Sequence, residues 1–330
     1  MWTYVAGHEA LQDVQWALDR EYLLTNGLGG YSSSSLLGCD TRRYHGLLVA
    51  ALKPPLDRRV LLSHLDEILV LADQRHSLST VEYGDGFFPA GYALLEEFRL
   101  DPLPTWRWRV GDVQLTKRLV MVHGQNCVLI QYAASGPLSE ARLILSPFVA
   151  MRDFHHLGHE RRDLAPDLSG AAIGFRLPID EGRFLYIHAT DGQAELAPIW
   201  YNRLHRRQEA VRGQDYLEDV LRVGALTVDL SASPSVTVTA NVSSSQEPVT
   251  FAEAREGELE RRRELIGLAT PRDLREQALV IAADQFLVQR GQGDEQPVSI
   301  LAGYPWFADW GRDAMIALRG LCIETGRLDL

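Results

Sequence analysis

The sequence has few cysteines, a shortage of basic residues and no long apolar run, and each shortage excludes a class of protein. Its three cysteines, Cys39, Cys127 and Cys322, are odd in number and far apart, so neither a disulfide framework nor a zinc site is indicated. A reducing cytoplasm fits this usage best. No stretch reaches the roughly 18 uninterrupted apolar residues of a spanning helix, and the N-terminus lacks a signal-peptide pattern, so we expect no membrane partner. With 33 Lys and Arg against 44 Asp and Glu, the net charge of −11 argues against nucleic acid as a partner, because phosphate binding requires a basic face.

The remaining composition is that of a soluble globular protein. The chain has 330 residues, 46% of them hydrophobic and 23% charged, enough for about two domains. Between Val60 and Val242, short apolar or alternating runs separated by turn residues are typical of antiparallel β-structure. Residues 115–132 hold two such runs around the Gly-containing loop 123–126 and predict a hairpin. Many strands with few helical stretches predict a mainly β protein, built as a large antiparallel sandwich.

The pattern changes near residue 250, where we place the end of a β-sandwich domain over 1–248. Thr250 and Glu253 have the spacing of a capping box, in which each side chain accepts from the other residue's backbone amide. They predict a helical linker over 249–270.

Residues 271–330 form the last predicted unit, which is helical. Thr270 followed by Pro271 predicts a helix with Thr270 as its N-cap, running through the apolar stretch LREQALVIAADQFLVQR. A further helix, AMIALRGLCIETG, is predicted to end at Gly326. Two apolar helices cannot bury their own faces, so they begin a larger helical domain or else both pack back on the β domain. We expect exposed helices to make the chain self-associate or to leave residues beyond about 270 mobile.

The densest group of potential binding residues is GYPWFADWGRD at 303–313. It places Trp306 and Trp310 beside the adjacent pair Arg312 and Asp313, at the entrance to a helix. Pyranose rings offer apolar C–H faces that stack on aromatic side chains, and their vicinal hydroxyls suit a carboxylate acceptor next to a guanidinium donor. The segment is therefore typical of a sugar site. The alternative is a structural loop, locked by the Arg–Asp pair with both tryptophans as core anchors.

A second group follows the glycine-rich segment TNGLGGY at 25–31. These glycines lack the Lys and Ser/Thr of a phosphate loop and have no βαβ context, so they predict a tight turn rather than a nucleotide site. The polar and aromatic residues of this group either bridge two domains or edge a ligand cleft; they are Asn26, Arg42, Arg43, Tyr44 and His45.

Three histidines have a spacing that metal sites on helices use. His155 and His159 are four residues apart, with His156 between them. The flanking charged residues and glycine indicate a solvated loop, and no H-E-x-x-H motif is present. We therefore predict no metal site.

Two stretches together resemble one family. EYLLTNGLGGYSSSSLLGCDTRRYHGLLVAAL at 21–52 resembles the opening signature of the N-terminal domain of bacterial and archaeal glycogen debranching enzymes. AGYPWFADWGRDAMIALRGL at 302–321 is similar to the first motif of their amylo-α-1,6-glucosidase domain. SPFVAMRDFHHL at 146–157, WYNRL at 200–204 and RGQDYLEDV at 212–220 agree in kind. The resemblance covers nearly the whole chain in family order.

The resemblance implies a fold and an activity. In that family a β-sandwich (supersandwich) domain precedes an (α/α)6 toroid, so 271–330 would be the first helices of a truncated toroid. The activity would be hydrolysis of α-1,6-glucosidic branch points in glycogen or limit dextrin, without metal or organic cofactor. Trp310, Arg312 and Asp313 would hold the non-reducing glucose. The general acid and base, which inverting hydrolysis places about 6.5 to 9.5 Å apart, are expected downstream of Leu330.

Two other functions stay open beside this one. As it stands the chain is alternatively a non-catalytic α-glucan-binding or scaffold domain, whose affinity comes from the loop 306–313. Aromatic-Arg-Asp loops are also shared by related toroids, so a glucoamylase-like or trehalase-like hydrolase with α-1,4 or α,α-1,1 preference is the third interpretation. Asp309 is a candidate only for orienting the loop.

Overall fold

Two large antiparallel sheets make up most of the computed structural model, which describes residues 3–169, 173–242, 249–291, 297–328 and 330. The mainly β class predicted from the sequence is confirmed. The strands in chain order are β1 Tyr4–Gly7, β2 Glu21–Thr25, β3 Tyr31–Ser35, β4 Gly46–Lys53, β5 Leu56–Leu71, β6 Gln74–Ser77, β7 Thr80–Tyr83, β8 Gly86–Ala90, β9 Leu95–Leu100, β10 Pro104–Val110, β11 Val113–Met121, β12 Cys127–Ser135, β13 Ala141–Asp153, β14 Asp167–Leu168, β15 Gly174–Asp180, β16 Arg183–Ala189, β17 Gln193–His205, β18 Leu217–Asp229, β19 Ser235–Asn241, β20 Leu287–Gln289 and β21 Val298–Ile300.

The two sheets interleave along the chain. One has nine strands in the order β1-β9-β10-β11-β12-β19-β16-β15-β14, and the other has the order β17-β18-β13-β5-β4-β3-β2 with β6 paired to β5. Two small hairpins, β7-β8 and β20-β21, stand beside them. Alternation along the strands sends one set of side chains into a common core between the sheets.

Aromatic side chains fill the centre of this core. The Trp106 ring lies 5.2 Å from both the Tyr22 and the Phe98 ring centroids, in edge-on arrangements. Its indole N–H donates to the Leu36 carbonyl oxygen at 2.8 Å, so the one polar atom of this buried ring is satisfied.

The hairpin predicted around 123–126 is confirmed. β11 and β12 pair from Gln114 opposite Ser135 to Met121 opposite Val128, and Gln125 N–H closes the turn on the Val122 carbonyl oxygen.

The structure contains strands that the apolar pattern did not reveal. β1 to β4 all precede Val60, where the predicted strand region begins, and β5 is one long strand through two of the predicted runs. β3 carries four consecutive buried serines, Ser32–Ser35, whose hydroxyls bond to β2 or to residues 39–40, as Ser33 does to the Tyr22 carbonyl oxygen at 2.7 Å. A run of serines has no apolar period, so the pattern cannot identify it as a buried strand.

Six α-helices occur among the described residues: α1 His8–Gln12, α2 Val14–Leu18, α3 Arg207–Val211, α4 Phe251–Ala269, α5 Leu274–Asp284 and α6 Gly311–Leu318. The capping box at the start of α4 is confirmed, because the Thr250 hydroxyl accepts from Glu253 N–H while the Glu253 carboxylate accepts from Thr250 N–H. The predicted domain division after residue 248 falls within 243–248, outside the described residues, and stays a prediction.

The predicted N-cap of the next helix is wrong. Thr270 adopts a left-handed conformation, with φ of 47°, and ends α4 by donating to the Ile266 carbonyl oxygen. The N-cap of α5 is Asp273, whose carboxylate accepts from Arg275 N–H and Glu276 N–H, both at 2.9 Å. A carboxylate two residues beyond Pro271 satisfies two orphan amides and therefore sets the start.

The same helix also ends earlier than the sequence predicts. Helical geometry stops at Asp284, and β20 then pairs with β21 through Leu287 opposite Ile300. Leu287 and Val288 become buried by this pairing, so tertiary packing overrides the apolar pattern that favoured a continuous helix.

The last helix ends at Ile323 with Glu324 as its C-cap, so Gly326 is not the C-cap that the sequence predicts. α6 passes into a π-helical turn over Arg319–Ile323, and Gly326 then adopts φ of 77°. No helix within the described ranges is long and apolar enough to cross a membrane.

The helices differ in how they meet the sandwich. Phe251 and Ala254 of α4 join the main core, and Arg262 donates to the Pro102 carbonyl oxygen at 3.0 Å. Leu279 of α5 and Ile316 of α6 instead stand at the surface, 67% and 75% exposed.

Candidate functional site

The loop 303–310 is closed on itself between β21 and α6. Ala302 N–H donates to the Ala308 carbonyl oxygen at 3.0 Å, and Phe307 N–H donates to the Gly303 carbonyl oxygen at 2.9 Å. The Asp309 carboxylate accepts from the Ser299 hydroxyl at 2.8 Å and from the Arg290 guanidinium at 3.0 Å. This geometry supports the role of loop-orienting carboxylate that the sequence suggested for Asp309.

The end of this loop presents three of the predicted substrate-binding residues to solvent. Trp310 is the N-cap residue of α6 and is 60% exposed. Arg312 and Asp313 follow in the first turn, where their side chains form a mutual ion pair with Nη2 and Oδ2 at 3.2 Å. An exposed indole, followed within three residues by a paired guanidinium and carboxylate, offers both kinds of contact that a pyranose makes.

Trp306, the fourth predicted substrate-binding residue, points towards the β-sandwich instead of towards solvent. Its ring meets the Tyr44 ring edge-on at 6.4 Å, and the Arg42 guanidinium lies over it at 5.4 Å. Its indole nitrogen is buried, without a hydrogen-bond partner among the described residues. Trp306 thus packs the loop onto the β-sandwich, away from the face that carries Trp310.

Arg58, a buried residue of β5, lies beneath the loop. The sequence did not identify it as part of the site. Arg58 donates from Nη1 to the Pro305 carbonyl oxygen at 3.2 Å and from Nη2 to the Phe307 carbonyl oxygen at 2.6 Å. Its guanidinium lies 4.3 Å from the Phe154 ring centroid. Burial lowers the pKa of Arg58 from its usual value, because a cation is less stable away from water.

Arg42 and Tyr44 are the members of the second predicted group that reach the loop. Besides covering Trp306, Arg42 donates from Nε to the Glu21 carboxylate at 2.7 Å. Burial acts to raise the pKa of Glu21, but hydrogen bonding and charge from His45 and Arg42 outweigh it and lower that pKa to about 2. An ionised Glu21 therefore holds Arg42 in place over the ring.

Asn26 of the same group lies inside the sandwich. It is fully buried, and its side-chain amide donates to the Gln125 carbonyl oxygen at 2.8 Å while its side-chain oxygen accepts from Leu28 N–H at 3.0 Å. Gly27 has φ of 73°, and a Cβ there would lie 2.4 Å from the His123 ring. The glycine cluster is the tight turn that the sequence predicts, packed on the hairpin turn 123–126.

His45 is buried and Arg43 is partly buried. Arg43 donates to the His155 carbonyl oxygen at 2.8 Å and to the Gln214 side chain at 3.0 Å. His45 Nδ1 accepts from Thr41 N–H at 3.1 Å. These contacts hold segment 41–45 in shape behind Arg42 and Tyr44.

A buried ion network lies behind this segment, and the sequence pattern gave no sign of it. Glu218 accepts from Arg206 Nε at 2.7 Å, from Arg152 Nε, and from Gly158 N–H at 3.1 Å. Burial would raise the pKa of Glu218, but the two guanidinium groups outweigh it and lower that pKa to about 2. Arg206 also donates to the Asp40 carbonyl oxygen at 2.9 Å.

The three histidines occupy a loop, as the sequence indicates. All three are exposed, and His155 Nδ1 lies 3.3 Å from the Tyr44 hydroxyl. Among the residues whose positions are described, no group of three or more His, Cys, Asp or Glu has the arrangement of a metal site.

The fold and this loop together define a two-sheet β domain joined to a helical segment with an exposed aromatic-Arg-Asp surface. Residues 20–237 match the family described as glycogen debranching enzyme N terminal, and residues 281–330 match amylo-alpha-1,6-glucosidase. The chain therefore belongs to the glycogen debranching enzyme family, and the resemblance drawn from the sequence is confirmed.

Solved structures give a more distant likeness. A bacterial glucoamylase complexed with acarbose aligns with 9% sequence identity and a TM-score of 0.35, over 86% of this chain and 37% of the glucoamylase chain. This chain thus spans little more than a third of that relative's length. A comparison with curated proteins gave no match.

Proposed function

We propose that this chain supplies the sandwich domain and the glucose-binding loop of a glycoside hydrolase that cleaves α-1,6 branch points in glycogen or limit dextrin. One observation carries the proposal: the segment 303–313 is fixed on its inner side, while Trp310 stays 60% exposed and the exposed Arg312 is paired with Asp313 just after it. A loop kept only for packing would bury its tryptophans, as happens to most of the Trp306 ring, whereas Trp310 is 60% exposed. The family match supports the substrate class.

The proposed contacts follow from the chemistry of the three side chains. The Trp310 indole would stack on the C–H face of the terminal glucose, while Arg312 donates to sugar hydroxyls and Asp313 accepts from them. Their mutual ion pair keeps the guanidinium and the carboxylate side by side before sugar binds. These residues bind and orient; we assign no general acid or base among residues 303–313 and no metal or organic cofactor.

Glucose release from a phosphorylase limit dextrin tests this function. The assay compares the complete gene product with its Trp310→Ala and Arg312→Ala variants. Losing a hydrogen bond to a charged donor costs about 1.5 to 3 kcal/mol, so we expect kcat/KM to fall roughly 10- to 150-fold for Arg312→Ala. The matched control is Arg319→Ala, since its side chain is 82% exposed against 80% for Arg312 and lies farther along the same helical segment.

The outcomes separate the three functions. Wild-type activity in both Trp310→Ala and Arg312→Ala would show that the loop does not hold the glucose. Binding of limit dextrin without glucose release would support a glucan-binding or scaffold domain. Faster hydrolysis of maltose or trehalose than of limit dextrin would support the glucoamylase-like or trehalase-like alternative.

We further propose that the chain self-associates through its helices and functions in the cytoplasm. The support for self-association is the exposed apolar surface of Leu274 and Leu279 on α5 with Met315 and Ile316 on α6. The support for a reducing compartment is that the three cysteines are few, far apart in the sequence and buried.

A further inference from the structure

Arg58 is a charged side chain of the β-sandwich whose main polar partners belong to the candidate sugar loop. It lies on β5 and is only 2% exposed. Its two terminal nitrogens donate to the carbonyl oxygens of Pro305 and Phe307. In the described parts of the chain, this guanidinium forms no ion pair with a carboxylate.

A buried charge requires compensation for the water it has lost. For Arg58 the compensation comes from the two loop carbonyls and from aromatic faces, with the Phe154 ring centroid at 4.3 Å and the Tyr304 ring centroid at 6.0 Å. Tyr304 belongs to the loop as well. A displaced loop would leave the guanidinium with the Phe154 ring alone, so the charge favours one position of the loop.

The other contacts between the loop and the sandwich are aromatic packing or pass through its hairpin, in which Gln289 N–H donates to the Gly27 carbonyl oxygen at 2.8 Å. Asp309 is held by Ser299 and Arg290, which flank or belong to the β20-β21 hairpin that carries the loop, so these bonds fix the loop relative to its own hairpin. Arg42 and Tyr44 contact Trp306 through ring faces and edges, which are weakly directional. Arg58 makes two directional bonds from the sandwich to carbonyls on either side of Trp306.

We infer that Arg58 is a positioning residue, through which the β-sandwich sets the loop 303–313 for sugar binding. The effect on catalysis rests on the proposed function. The effect on the position of the loop does not, and it can be measured without any substrate. Arg58 is covered by the loop, and we assign it no contact with the sugar.

Hydrogen exchange at the loop amides tests the structural part. Ala302 and Phe307 donate the bonds that close the loop, so their exchange reports whether it stays closed. We expect exchange at both amides to be at least tenfold faster in Arg58→Met and intermediate in Arg58→Lys, because an ammonium can keep one of the two carbonyls. Arg59→Met is the matched control, since Arg59 is the next residue of β5 and pairs instead with Asp57.

Two comparisons keep this measurement decisive. Exchange within β11 and β12 must stay at the wild-type rate, which shows that the sandwich remains folded. If Arg58→Met does not fold, Arg58→Lys provides the same test. Wild-type exchange at Ala302 and Phe307 in a folded variant would overturn the inference.

The kinetic test uses the complete gene product on phosphorylase limit dextrin. A loop that holds the sugar equally in the ground state and the transition state affects binding uniformly, so we expect KM to rise at least fivefold in Arg58→Met with kcat within twofold. Faster exchange with unchanged KM would overturn the role in sugar binding. If Trp310→Ala keeps full activity while Arg58→Met loosens the loop, the proposed function fails and the positioning of the loop stands.

Discussion

Neutralising Glu218 should destabilise the sandwich, because this carboxylate is the centre of a buried ion network. Its side chain is fully buried between Arg152 and Arg206, whose side chains are 8% and 4% exposed. In Glu218→Gln an amide NH2 group replaces one carboxylate oxygen. This NH2 group is itself a donor, so it cannot accept from the guanidinium N–H groups that the oxygen bound. Two buried guanidinium groups then lose their shared counter-charge.

Two arguments give the same size for the loss of unfolding free energy in Glu218→Gln. Removing one partner of a buried ion pair costs about 3 to 5 kcal/mol. The pKa of Glu218 is lowered from 4.5 to about 2, and each pH unit of that difference is worth about 1.4 kcal/mol, so the ionised carboxylate stabilises the fold by about 3 kcal/mol. We expect the free energy of unfolding to fall by about 3 kcal/mol at pH 7.

The sign of the pH dependence follows from the lowered pKa. The stabilisation is present above the unfolded pKa of 4.5 and is lost as the pH falls from 4.5 towards 2, because the unfolded chain takes up the proton first. The difference between wild type and Glu218→Gln should therefore shrink between pH 5 and pH 3.

Urea denaturation followed by tryptophan fluorescence measures both effects. Glu195→Gln, an exposed carboxylate on the neighbouring strand β17, is the matched control and should change stability by less than about 0.5 kcal/mol. A Glu218→Gln protein within about 1 kcal/mol of wild type at pH 7, or a difference as large at pH 3 as at pH 7, would refute the reasoning.

Two further predictions concern the glycine turn and the helices. Gly27→Ala should lower the free energy of unfolding by about 2 to 4 kcal/mol, because the new Cβ clashes with His123 and the backbone is left-handed. Gly38→Ala is the control: its φ is 70° but the space around its Cβ is open, so it should cost only about 1 kcal/mol. Equal costs for the two variants would contradict the packing argument. In size-exclusion chromatography with light scattering the chain should self-associate, and Leu279→Glu with Ile316→Glu should yield monomers while Val211→Glu, also exposed but on α3, should not. A monodisperse wild-type monomer with protected amides throughout 272–325 would rule out self-association.

The parts of the fold that the sequence predicted are those with a local cause. The hairpin at 115–132 and the capping box at Thr250 each depend on residues within a few positions of one another. β3 and β20 depend on distant partners. The buried serines of β3 bond to β2 and to residues 39–40, and β20 exists because β21 covers it, so neither has a signal in its own stretch.

The candidate site likewise has one part that the sequence predicts and one part that it does not. An aromatic-Arg-Asp segment is recognisable because the chemistry sits in eleven consecutive residues, 303–313. Arg58, which supports this segment from below, was not recognisable in the sequence. Arg58 and Arg59 stand just before Val60, where the predicted strand region begins, yet Arg58 is only 2% exposed while Arg59 forms an ion pair with Asp57. Alternation places them on opposite faces, but only the position of the loop shows which face is covered.

The stretches that carry the family resemblance are far apart along the chain and meet in one place. Tyr44 contacts Phe154 at 5.7 Å and Trp306 at 6.4 Å, while Arg43 binds Gln214 and Arg152 binds Glu218. Buried polar groups need every partner at once, since a single missing partner leaves a donor or a charge uncompensated. A polar interface of this kind constrains residue identity more than an apolar core does, because many hydrophobic side chains can fill the same space.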